Sequence, residues 1–139
     1  MPELARWYIK TSLVYLAAAL LVGVALAVHR MTSLVPVLDF SGPAYIHLFV
    51  VGWLTQLIFG VAYWLFPRFS KASPYGHEYL GWGAYVLLNA GLILRAVAEP
   101  ATGVMYGKGW RVALIGAALC QWAAGLLFTV YIWPRVRAK

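Results

Sequence analysis

Charged side chains, cysteine and histidine are scarce in this sequence. Only 11% of its 139 residues are charged, whereas a soluble domain usually carries about 25%. That scarcity argues against water as the main solvent. A single cysteine, Cys120, excludes an intrachain disulfide and reads as a small apolar filler. With three histidines in all and no HExxH, CxxC, GxGxxG, GxxxxGK[ST] or GxSxG pattern, a self-contained metallohydrolase, nucleotide enzyme or serine hydrolase is not expected. Alternation of period two is absent as well, which removes a β-barrel.

What is there is apolar: 63% hydrophobic residues with a mean hydropathy of +0.77. Four runs, at about 7–28, 44–66, 78–98 and 109–133, each approach the roughly 20 residues needed to cross a bilayer. Lipid offers no partner for backbone N–H and C=O groups, so the runs must be helical. The fold expected is all-α, an integral membrane four-helix bundle forming one domain over residues 1–139. Pro67, Pro100 and Pro134 follow the last three runs and are expected to stop them, since proline loses a hydrogen bond and clashes with the preceding turn. Between runs two and three, Ser73-Pro74-Tyr75-Gly76 reads as a turn. Arg6, Lys10 and Ala25-Leu26-Ala27 mimic a signal peptide, but the apolar stretch is longer than a typical signal core and is read as a retained helix.

The net charge of +7 sits between the runs, without the aromatic-interleaved basic patch that would suggest nucleic acid. It reads as topology signal and contact with anionic lipid. Lys and Arg number seven on the side of the termini (Arg6, Lys10, Arg68, Lys71, Arg135, Arg137, Lys139) and three on the other (Arg30, Lys108, Arg111). Both termini are therefore expected in the cytoplasm of a prokaryotic-type inner membrane. Trp7, Tyr8, Tyr45, Trp64, Tyr79, Trp82, Trp110, Tyr131 and Trp133 fall near run ends, where rings anchor at head-group level. Abundant glycines, Gly52, Gly60 and Gly91 among them, permit close helix pairing or a planar cofactor.

Ionisable groups inside the runs carry the functional signal. His47 lies about one turn inside the outer end of the second run. A neutral imidazole there suits an axial position on haem iron, or it is simply hydrogen-bonded to a neighbouring helix; both readings stand. Arg95 lies about 6 Å below the same boundary at 1.5 Å per residue, and needs an anion: Glu99, Asp39 or a ligand carboxylate. His29 ends the first run on that side. His29, Asp39, His47, Arg95 and Glu99 thus converge on one leaflet, as a site or as a solvated rim. His77-Glu78 lies on the opposite side and reads as a helix start. Gln56, Asn89 and Gln121 are deeper, where amides usually bridge helices. No paired Gly or Pro interruptions mark a transporter's midplane site.

The segment Tyr45-Ile-His47-Leu-Phe-Val-Val-Gly52-Trp53, continued by Ile-Phe-Gly60-Val-Ala-Tyr63-Trp-Leu-Phe-Pro67-Arg68, resembles the second helix of subunit I of haem-copper oxidases, closest to the C-type and nitric-oxide-related branch. Gly81-Trp82, Leu88-Asn89-Ala90-Gly91 and Arg95-Ala-Val-Ala-Glu99-Pro100 are similar to the helix that follows. The resemblance covers about half the chain. It implies that His47 is an axial ligand of haem b and that Arg95 pairs with a propionate; His29, from its place in the cluster rather than from the resemblance, is the weaker candidate for cofactor binding. It also implies further helices with a copper-binding histidine group, which these four runs do not supply, so dioxygen reduction by one copy is not expected. Four helices resemble one of the three arcs of that subunit. A homotrimer bringing His47 residues together follows as an expectation, with electron transfer or diatomic-gas handling as the function. A copper or zinc site at His47, and a cofactor-free scaffold or accessory subunit with a respiratory-chain partner, are the alternatives.

Overall fold

The computed structural model describes residues 1–33, 35–68, 75–105 and 107–136. The expected turn at Ser73-Pro74, with Lys71, and the tail charges Arg137 and Lys139 lie outside them. Four helices are long and apolar enough to cross a membrane: α1 (Glu3–Thr32), α2 (Gly42–Leu65), α3 (Glu78–Val104) and α4 (Lys108–Ile132). Among the described residues there is no strand. The protein is an all-α, multi-pass membrane protein. The start of α1 and the end of α4 lie at one end of the bundle, called here the terminal end, and His47 at the other.

Each helix packs on its neighbour in sequence, α1 on α2, α2 on α3 and, most extensively, α3 on α4, while the backbones of α1 and α4 nowhere come within 8 Å. Glycine governs these approaches. A Cβ on Gly60 would stand 2.8 Å from Tyr8 Cβ on α1, and one on Gly91 would stand 2.9 Å from the Ala117 carbonyl on α4. Of the two uses open to these glycines, the structure has them pairing helices. The core gathers at the terminal end, where Leu4, Ala5, Tyr8, Tyr63, Leu88, Leu92, Ala124 and Tyr131 are buried together. Phe59 and Phe128 stack there at 3.8 Å, and the Tyr8 hydroxyl donates to the Gly81 carbonyl at 3.1 Å.

Three departures from the sequence reading have physical causes. Pro100 does not end α3, which runs on to Val104. The ring costs the one bond to the Ala96 carbonyl, and the last turn is held by Thr102 Oγ1 on the Glu99 carbonyl and Met105 N on the Ala101 carbonyl, both 2.8 Å. Leu48–Thr55 within α2 is π-helical, directly after His47. The Thr55 hydroxyl donates five residues back to Val50 at 3.0 Å, a span that suits the wide turn. Tyr8 and Tyr131 are not interfacial anchors: both are buried in the core, whereas Trp7, Trp64, Tyr79 and Trp133 are exposed.

Arg135, counted among the tail charges by sequence, is 2% exposed. The chain turns at Trp133–Arg135 and inserts the guanidinium beneath the end of α2. Its Nε donates to the Pro67 carbonyl at 3.0 Å, Nη2 to those of Tyr63 and Phe66, both at 2.9 Å, and Nη1 to the Tyr131 hydroxyl at 3.1 Å. The rings of Tyr63, Tyr75 and Tyr131 surround it, with centroids at 5.5–5.9 Å. A cation is thereby placed on the negative end of a helix dipole, against carbonyls with no partner in their own helix.

Candidate functional site

His47 stands in the first turns of α2, and one bond fixes its chemistry. Its Nδ1 lies 2.9 Å from the Pro43 carbonyl, one turn back. A carbonyl oxygen only accepts, so Nδ1 carries the hydrogen. In the neutral ring Nε2 is then the unprotonated nitrogen, with its lone pair available. This is the arrangement of a metal-ligating histidine, whose other ring N–H is commonly given to a backbone carbonyl or carboxylate. The side chain is 29% exposed, beside the exposed Ile46 and Val50 of α2.

A carboxylate faces the same N–H from α3. Glu99 Oε1 lies 3.5 Å from His47 Nδ1 and accepts from Arg95 Nη1 at 2.9 Å. Arg95 and Glu99 are four residues apart, which puts them on one face of α3. The Glu99 side chain is 8% exposed, and in so dry a place a carboxylate needs its cation. The pairing is single-pronged: Glu99 Oε2 and Arg95 Nε are both buried without a hydrogen-bond partner. Of the three anions weighed for Arg95, the structure supplies Glu99.

The remaining members of the expected cluster form a second, separate contact. His29 Nε2 bonds Asp39 Oδ1 at 2.9 Å, and the Val35 amide donates to His29 Nδ1 at 3.3 Å. Nδ1 accepts, so Nε2 is the protonated nitrogen and donates to the aspartate. Both ring nitrogens are thus engaged in tying the first loop to the end of α1. That loop is a 3₁₀ turn, Pro36–Phe40, whose Phe40 ring fills the space a side chain at Gly103 would take. A groove of about 400 Å3 bordered by Asp39, Pro43, Glu99 and Leu114 brings the two contacts to one surface.

Elsewhere, His77 is at the opposite end with its ring near Tyr79, and Glu78 accepts from the Tyr63 hydroxyl at 3.0 Å. The deep amides do not bridge helices as expected. Asn89 donates to the Tyr85 carbonyl of its own helix, both amide atoms of Gln56 are buried without partners, and so is Gln121 Nε2. Among the described residues, no three or more His, Cys, Asp or Glu side chains gather into a metal-binding group. The donors present fit one axial position on a haem iron, with Arg95 Nε as an unused donor nearby. They do not assemble a copper or zinc centre from these residues alone.

No family model matches the sequence, and no solved structure matches the chain. Cytochrome c oxidase subunit 1 of Rhodobacter capsulatus is 32% identical over 68 residues, which is 48% of this chain and 13% of the oxidase subunit. The chain therefore spans about an eighth of the relative it matches, and the likeness supports a distant relation to that subunit.

Proposed function

We propose that this protein binds haem b in the membrane through His47 Nε2 and works in electron transfer or in the handling of a diatomic gas. The observation that carries the reading is the fixed tautomer: a carbonyl 2.9 Å from Nδ1 leaves Nε2 free at the edge of an apolar helix face. The partial likeness to cytochrome c oxidase subunit 1 supports it. A haem, when bound, supplies one-electron chemistry and a binding position for a small gas. The chain's own residues do the rest. Pro43 orients the imidazole, Arg95 neutralises Glu99 and, through the exposed part of its guanidinium, would pair with a propionate, and the exposed side chains of α2 keep water from the ring. His29, with both nitrogens engaged, holds the loop.

At the His47 end one copy offers a single imidazole with an unengaged nitrogen, since His29 has both engaged, so any second protein ligand would come from another chain, and without one that position would be open to a gas. A homotrimer in the inner membrane, termini cytoplasmic, is the arrangement proposed. The test is an absorption spectrum of oxidised and reduced protein purified in mild detergent, with metal analysis of the same sample. A Soret band lost in a folded His47→Ala variant is expected. Absence of the band, or its survival in that variant, overturns the reading; copurification with a larger respiratory complex without cofactor would put the accessory-subunit reading in its place. Bound copper or zinc without haem would instead favour a metal shared between copies. Native mass spectrometry reads the oligomer, and a monomer removes the trimer.

A further inference from the structure

His47 has two acceptors for one hydrogen. The Pro43 carbonyl holds Nδ1–H at 2.9 Å, and Glu99 Oε1, on a different helix, waits at 3.5 Å. These acceptors are chemically unequal. A neutral carbonyl leaves the imidazole an ordinary nitrogen base, while a carboxylate draws the hydrogen away and makes the opposite nitrogen a stronger donor. Glu99 is 8% exposed, so water screens its charge poorly over this distance. Arg95 holds only Oε1, the oxygen that also faces His47, and leaves Oε2 unbonded. A two-pronged pairing would have used both carboxylate oxygens and locked the group. Single-pronged pairing lets the carboxylate turn toward either partner.

We propose that Glu99, restrained by Arg95, is a positioning residue for His47: it competes with the Pro43 carbonyl for Nδ1–H and so sets the donor strength of Nε2. A ligand strengthened in this way favours the more highly charged, oxidised state of any iron bound to it. Arg95 acts in the opposite sense, because its cation withdraws negative charge from the carboxylate. The inference rests on the haem-ligand reading for its effect on redox balance, though the coupling between the two side chains exists without haem.

The experiment compares wild type with Glu99→Gln and with Glu99→Asp, which keeps the charge for Arg95 but withdraws it by one methylene. In haem-loaded protein, Glu99→Gln should retain the Soret band and shift the balance of oxidised over reduced iron about tenfold toward reduced, a rise of about 59 mV for one electron. Glu99→Asp should move it the same way by less. In haem-free protein, 15N NMR of His47 should show the Nδ1–H resonance displaced in both variants, a change that loss of packing alone would not produce. A midpoint potential and a His47 resonance both unmoved in a folded variant overturn the inference. Should wild type lack a Soret band, the haem reading falls, and the His47 resonance alone decides the coupling. If Glu99→Gln does not fold, Glu99→Asp carries both readouts.

Discussion

The two ends of the bundle treat an arginine in opposite ways. At the terminal end the Arg135 guanidinium uses Nε, Nη1 and Nη2 together, on three carbonyls and a hydroxyl, inside a box of tyrosines. At the His47 end Arg95 makes one bond to one oxygen, and polar atoms on both it and Glu99 are left over. A cation saturated by its own chain has nothing left to offer. One left partly unsatisfied costs stability, and such a cost is tolerated where a ligand or a movement uses the spare valence. The contrast marks one end as architecture and agrees with the site proposed at the other.

Substitutions can break that contrast, beginning where the effect is largest. Arg135→Ala strips charged donors from four acceptors at once and should cost on the order of 3 kcal/mol or more, read as a fall in Tm in mild detergent. Arg135→Lys should recover little of it, because an ammonium cannot reproduce the planar fork. Gly91→Val, forced against the Ala117 carbonyl, should cost about 1–3 kcal/mol by overpacking. Gly125→Ala, where a Cβ meets nothing within 4 Å, should stay within about 0.5 kcal/mol in the same measurement. A difference between these two glycines smaller than that would contradict the helix pairing described here.

At the other end the expected losses shrink. His29→Ala removes two bonds holding the first loop and should cost about 1–2 kcal/mol, with faster hydrogen exchange at the Val35 amide. His47→Ala should cost least, about 1 kcal/mol or under, since its ring gives a single hydrogen bond and is partly exposed. A His47→Ala variant as unstable as Arg135→Ala would erase the distinction between the ends.

Hydropathy makes the helices legible because the bilayer imposes length and composition on each span separately. The depth of His47 and Arg95 is legible for the same reason: rise per residue converts position into height. What that arithmetic does not carry is azimuth. It groups His29 and Asp39 with His47, Arg95 and Glu99, whereas the folded chain divides them into two contacts, since only packing decides which way each side chain turns. The π segment after His47 changes that angle again and has no signature in hydrophobic pattern. Arg135 is misjudged by counting for a related reason. A topology count weighs every Lys and Arg alike, and the burial of one of them depends on the Tyr63 and Phe66 carbonyls some seventy residues away. Pro100 marks a lost bond, which a helix near its end can absorb when Thr102 supplies another.

The reach of Arg135 back to α2 also sets an order on synthesis. Tyr63 and its partner are 72 positions apart, so α2 enters the bilayer with its final carbonyls unclaimed while two further helices are still being made. Only the last turn of the chain closes them. Until position 135 emerges, the helix bearing His47 is held chiefly by its packing on α1 and α3, and a ribosome stalled earlier would leave its final carbonyls without their cation.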